Sequence, residues 1–144
     1  MSARILMLSW EYPPNHVGGL GRHVLHLSRA LAKAGADVTV VTRSAANTGA
    51  IFTDAGVRVV TAPAYNLHPP DFITWAAEFN VSLMESVLGN LSACDFDLIH
   101  AHDWIVAYAA RALKYSWGVP LVATIHATEH GRQNGLHNAA QQHI

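Results

Sequence analysis

Short apolar runs alternate with longer segments of helical period, and this alternation constrains the fold more than any other feature of the chain. Arg4–Ser9 is a nearly continuous apolar run closed by a polar residue, which predicts a strand buried on both faces. Pro13, Pro14, Gly18 and Gly19 make Trp10–Leu20 a loop. Gly21–Ala34 then takes up the helical period, with Val24, Leu27, Leu31 and Ala34 in one stripe and Gly35 as terminator. Asp37–Thr42 and Gly56–Thr61 are rich in β-branched residues and read as strands. Asp71 caps a helix that carries Phe72, Trp75, Ala76, Phe79, Leu83 and Val87 on one face. Asp97–His102 is a further strand, and Asp103 caps a helix over Trp104–Trp117 with Ile105, Ala109, Ala112 and Leu113 inward. Gly118 ends that helix, and Leu121–Ile125 is the last strand. Ser44–Thr53 and Ala62–Pro70 read as loops, and Ala127–Ile144 is polar and weakly patterned.

Apolar strands separated by amphipathic helices imply an α/β protein with a parallel sheet covered on both faces. With 144 residues, 51% of them apolar and 13% charged, the chain has enough material for one core and is no disordered tail. Nine Lys and Arg against ten Asp and Glu leave no basic stripe, which argues against nucleic acid as the main partner. No apolar run approaches the roughly 20 residues that a bilayer requires, and no signal peptide is legible, so the cytoplasm is the expected compartment. The single cysteine, Cys94, cannot form an internal disulfide and is expected to be a small buried apolar residue.

In such sheets ligands bind beyond the carboxyl ends of the strands. After the first strand come Gly18 and Gly19, at the start of a helix. Backbone N–H groups without a Cβ to shield them, at the positive end of a helix dipole, suit an anion. A tight turn that needs positive φ is the other reading. A dinucleotide fingerprint does not fit, because Val24 occupies the third glycine's place after Gly19 and Gly21 and the second strand ends in Thr42-Arg43. After the fourth strand comes His100-Ala101-His102-Asp103, and residues two apart in a strand face the same way. Half of a metal site, a substrate-orienting imidazole and a satisfied core histidine all remain open for this pair, while Asp103 reads as a helix cap. His126 follows the fifth strand.

Three segments resemble the amino terminus of GT-B glycosyltransferases of family 4 and the related bacterial and archaeal glycogen synthases. They are Ser9–Pro14 with Val17–Val24 and Leu31–Thr42, then Asp97–Trp104, then Pro120–His126. The resemblance implies a Rossmann-like, acceptor-side lobe of a two-lobed enzyme that transfers a sugar from a nucleotide-sugar donor with retention of configuration. It implies that Gly18 and Gly19 approach the donor diphosphate, that His102 is the catalytic-site histidine beside the transferred sugar, and that Glu11, Asp103 and His126 line the same substrate-binding cleft. No metal and no cofactor beyond an ADP- or UDP-sugar co-substrate is implied. The acceptor would be a glycan or a lipid-linked or other small acceptor. The carboxy-terminal donor-binding lobe lies outside these residues, so the chain is expected to be inactive alone and able to self-associate through its exposed cleft face. His16 stands where the glycogen synthases have lysine, and Ile105 where they have a further histidine; both favour the broader family. Two other classes stay in view: a metal-dependent hydrolase built on His100, His102 and His126, for which no carboxylate-rich ligand spacing completes the set, and a non-catalytic binding module.

Overall fold

From residue 5 to residue 8 the side chains alternate between two cores. Ile5 and Met7 join Val38, Val40, Val57 and Val59 on one face of a sheet, while Leu6 and Leu8 join Val41, Val60, Ile99 and Ala101 on the other. Both sets are almost wholly buried, which is why the run is apolar without a break. The computed structural model describes residues 2–15, 18–65 and 68–128.

The sheet has six strands: β1 (Arg4–Leu8), β2 (Asp37–Arg43), β3 (Ala50–Asp54), β4 (Val57–Ala62), β5 (Leu98–His102) and β6 (Leu121–Thr124). Their order is β3-β4-β2-β1-β5-β6, and every pairing is parallel except β3 with β4. Helix α1 (Gly19–Lys33) covers one face; α2 (Phe72–Asn90) and α3 (Ala107–Trp117) cover the other. This is the expected α/β, Rossmann-like arrangement with helices on both faces. None of the described helices is long and apolar enough to cross a membrane.

The caps fall where the residue types place them. The Asp71 carboxylate accepts the Thr74 N–H at 2.7 Å, and Gly35 and Gly118 take φ of +95° and +68° just beyond α1 and α3. The chain departs from the sequence expectation at several points. Ser44–Thr53 is not all loop, because Ala50–Asp54 forms the edge strand β3, joined to β4 by a turn at Ala55-Gly56 with both φ positive. Helix α1 begins at Gly19, not Gly21, and its most buried line is Leu20, Val24 and Ser28; Leu27 and Leu31 are half-buried and Ala34 is exposed. In α3 it is Ala110, not Ala112, that is buried. Cys94 is exposed, on a short turn before β5.

Candidate functional site

The chain leaves β1 towards β2 on one side and returns to β5 on the other, so a crevice opens at the carboxyl ends of β1 and β5. A cleft of about 550 Å³ lies there. Its lining comes from the loop after β1 (Trp10, Glu11), the start of α1 (Gly18, Gly19, Leu20), the start of α2 (Phe72), the turn after β5 (Asp103, Ile105) and the segment just beyond β6 (His126). Of the residues singled out in the sequence, Glu11, Gly18, Gly19, Asp103 and His126 therefore meet in one place, and His102 lies directly behind His126.

The start of α1 already holds an anion, the chain's own Glu11. The Glu11 carboxylate accepts the N–H of Gly18 at 3.1 Å and of Gly21 at 3.3 Å and is 4% exposed. Ser9 fixes the same loop: its hydroxyl donates to the Glu11 carbonyl at 2.8 Å and accepts the Glu11 N–H at 3.3 Å. Tyr12 is buried and donates to the Asp54 carboxylate at 2.7 Å; burial first, then Asp54, raises its pKa to about 12. Arg29 pairs with the same carboxylate at 2.7 Å and holds it below its usual range. The glycine pair is not there to make a turn. Gly18 has φ −153°, and a Cβ on either glycine would meet nothing within 4 Å. Both look onto open cleft.

Asp103 is 3% exposed and takes φ +69° with ψ 171°, a region that side chains rarely adopt. Its carboxylate accepts the Trp104 N–H at 2.9 Å, so the expected cap exists, although it caps the short turn Trp104–Val106 that precedes α3. Trp10 and Phe72 give the cleft an aromatic side: their rings meet edge-on at 6.4 Å, and Phe72 stacks on Trp75.

The histidines sort into two groups. His100 and His102 point to the same side of β5, with ring centres 4.1 Å apart. His100 Nε2 is paired with the Thr124 hydroxyl at 2.8 Å, the satisfied-histidine reading. His102 is wholly buried; its Nδ1 meets His126 Nε2 at 3.3 Å, and its Nε2 has no hydrogen-bond partner among the described residues. Burial first, then the imidazoles of His100, His126 and His23, lowers the His102 pKa to about 3, so the ring is neutral. Burial and His23 also lower His126, against the opposing pull of Asp103 and Glu11. His23, from α1, was not singled out in the sequence. Its ring lies 4.9 Å from that of His126 and 5.7 Å from that of His102. Among the described residues the histidines that can share an ion are His23, His102 and His126, not the His100, His102 and His126 set of the sequence reading. His16 and the tail histidines at 130, 137 and 143 lie outside the described residues.

The family model for Glycosyltransferase Family 4 matches residues 17–143. A glycogen synthase of Mycobacterium tuberculosis (strain ATCC 25618 / H37Rv) is 44% identical over 146 residues, covering 92% of this chain and 35% of that protein. A D-inositol 3-phosphate glycosyltransferase of Frankia alni is 34% identical over 114 residues, covering 76% of this chain and 28% of its own length. Among solved structures, sucrose-phosphate synthase from Thermosynechococcus elongatus superposes with a TM-score of 0.76 at 20% identity, over 96% of this chain and 37% of that one. The chain thus spans about a third of the length of the curated relatives it matches.

Proposed function

Because this chain belongs to glycosyltransferase family 4, we propose that it is the acceptor-side, amino-terminal lobe of a GT-B enzyme. That enzyme transfers glucose, with retention of configuration, from an ADP- or UDP-sugar to a glycan or a smaller acceptor. The observation that carries this reading is the convergence of bare glycine backbone, two carboxylates, an imidazole and an aromatic side on one cleft at the carboxyl ends of the strands. That combination suits a sugar bearing a diphosphate: aromatic faces take C–H surfaces, and backbone amides with a helix dipole take the phosphate charge.

Each residue then has a distinct task. Gly18 and Gly19 let the donor diphosphate come close to backbone that a methyl group would shield. Glu11 holds the glycine loop in shape until the diphosphate competes for the Gly18 amide. His126 faces the cleft and contacts the sugar or the acceptor hydroxyl. His102 stands behind it and fixes its ring through the Nδ1 contact, so its influence passes through His126. Asp103, held at the cleft wall, offers a carboxylate to the sugar hydroxyls. The donor nucleotide is held by a carboxy-terminal lobe, and closure of that lobe excludes water. The working compartment is the cytoplasm.

The test is transfer measured with ADP- and UDP-glucose, for this chain alone and for the protein that carries it joined to a donor-binding lobe. The two-lobed protein is expected to transfer, and the 144-residue chain to give neither transfer nor donor hydrolysis. Turnover by the chain alone would overturn the division of labour. A two-lobed protein that moves no sugar to any α-glucan, lipid-linked or small acceptor would overturn the reading itself.

A further inference from the structure

We propose that His23, His102 and His126 form a binding site for a divalent transition-metal ion of the zinc class, with its open position towards the cleft. The proposal does not depend on sugar transfer. It rests on geometry. One ring nitrogen from each of the three histidines lies within 4.8 Å of the others. Two imidazole nitrogens about 2.0–2.1 Å from a tetrahedral zinc ion are roughly 3.3–3.4 Å apart, and their ring centres are roughly 5 Å apart. His102 Nδ1 and His126 Nε2 are 3.3 Å apart, and the three ring-centre separations are 4.9, 5.6 and 5.7 Å. The His102–His126 pair therefore stands at the spacing of co-ligands, with little movement needed. The third ligand, His23, is exposed on the first turns of α1 and free to settle the remaining distance.

The ligands come from three separate parts of the fold: α1, the last residue of β5 and the segment just beyond β6. His102 is wholly buried, so its ring has no competing solvent. His126 also lines the cleft, together with the Glu11 and Asp103 carboxylates, so an ion there has negative charge close by and room for a fourth ligand. Three protein nitrogens with an open fourth position is the pattern of zinc sites that keep a water or take a ligand. An all-nitrogen donor set selects zinc, cobalt, nickel or copper over magnesium or calcium, which want oxygen.

The probe is Co²⁺, whose tetrahedral complexes absorb strongly in the visible. The chain is produced without a histidine tag, with the histidines at 130, 137 and 143 changed to alanine so that the tail supplies no imidazole. About one equivalent of Co²⁺ is expected to bind with a tetrahedral spectrum that Zn²⁺ bleaches. His23→Ala and His23→Gln, at an exposed position that leaves the core intact, are expected to weaken binding on the order of a hundredfold. His26→Ala, three positions further along α1 and also exposed, leaves it unchanged. An octahedral spectrum, or binding that His23→Ala does not weaken while circular dichroism shows the fold retained, overturns the site. Loss of binding in His26→Ala equal to that in His23→Ala overturns it as well, because the ion is then held by the helix surface.

Discussion

Asp103 combines almost complete burial with a positive φ at the cleft wall, a conformation that costs on the order of 1–3 kcal/mol for a residue with a Cβ. The cap it gives to Trp104 returns about 1 kcal/mol, which does not cover the strain at the upper end of that range. Asp103→Ala keeps the strain and loses the cap; Asp103→Gly loses the cap and relieves the strain. Urea denaturation is therefore expected to find the glycine variant about 1–3 kcal/mol more stable than the alanine variant. Equal stabilities would mean that the backbone is not strained there. Gly19 makes the complementary case. Since no positive φ and no neighbour within 4 Å demands a glycine, Gly19→Ala should leave the fold intact or stabilise it by up to about 1 kcal/mol. In the two-lobed protein the same change should lower transfer, with the loss in donor affinity. A fully active Gly19→Ala enzyme would show that nothing approaches that backbone. The glycine pair and the strand-end histidines were legible in the sequence because their chemistry is local. Glu11 on the amides of Gly18 and Gly21 was not, because the contact needs the loop to fold back on itself. Neither was His23, whose meaning lies in which strand ends α1 happens to cross.

At the scale of elements, the buried strands announced themselves and β3 did not. β1, β2 and β4 are covered on both sides and carry clusters of buried Ile, Leu and Val, whereas Ala50–Asp54 sits at the sheet edge with four of its five residues exposed. An edge strand gains little from hydrophobic burial, so it carries little hydrophobic pattern. Its turn was equally quiet. Ala55 takes φ +48° and Gly56 +86°, the two positive φ values of a type I′ hairpin, but Ala-Gly is not the Asn-Gly that normally signals one. Alanine in the left-handed region costs about 1–2 kcal/mol. Ala55→Asn or Ala55→Gly is thus expected to stabilise the chain by about 1 kcal/mol, read as a higher urea midpoint. A lower midpoint would mean that the hairpin does not hold this register. The hairpin matters beyond its own strands. Asp54, just before the turn, receives both Tyr12 and Arg29, so it ties the loop that carries Glu11 to α1 and to the far side of the sheet.

For the molecule as a whole, burial of neutral imidazoles between α1, β5 and β6 couples folding to pH. His100, His102 and His126 all have lowered pKa values with burial as the first cause, and His102 falls from 6.5 to about 3. The unfolded chain therefore binds more protons than the folded chain below pH 6.5. Stability from these groups is fully present above the unfolded value and is lost as pH falls towards the folded one. The slope is roughly 1.4 kcal/mol per pH unit for each such group while it differs in protonation. Asp54 and Asp97 are also lowered, but from 3.8, so they act only at the acid end of the range over which His102 acts. Urea unfolding with a chelator present is expected to show stability falling steadily from about pH 6.5 to about pH 4. His102→Gln removes the most strongly shifted group and leaves a side chain with hydrogen-bonding capacity in its place. Its curve should be flatter than that of the parent chain by about 1.4 kcal/mol per pH unit across the same range, whatever its absolute stability. An unchanged slope would place the acid sensitivity elsewhere and would mean that His102 reaches solvent, which its complete burial behind His126 opposes.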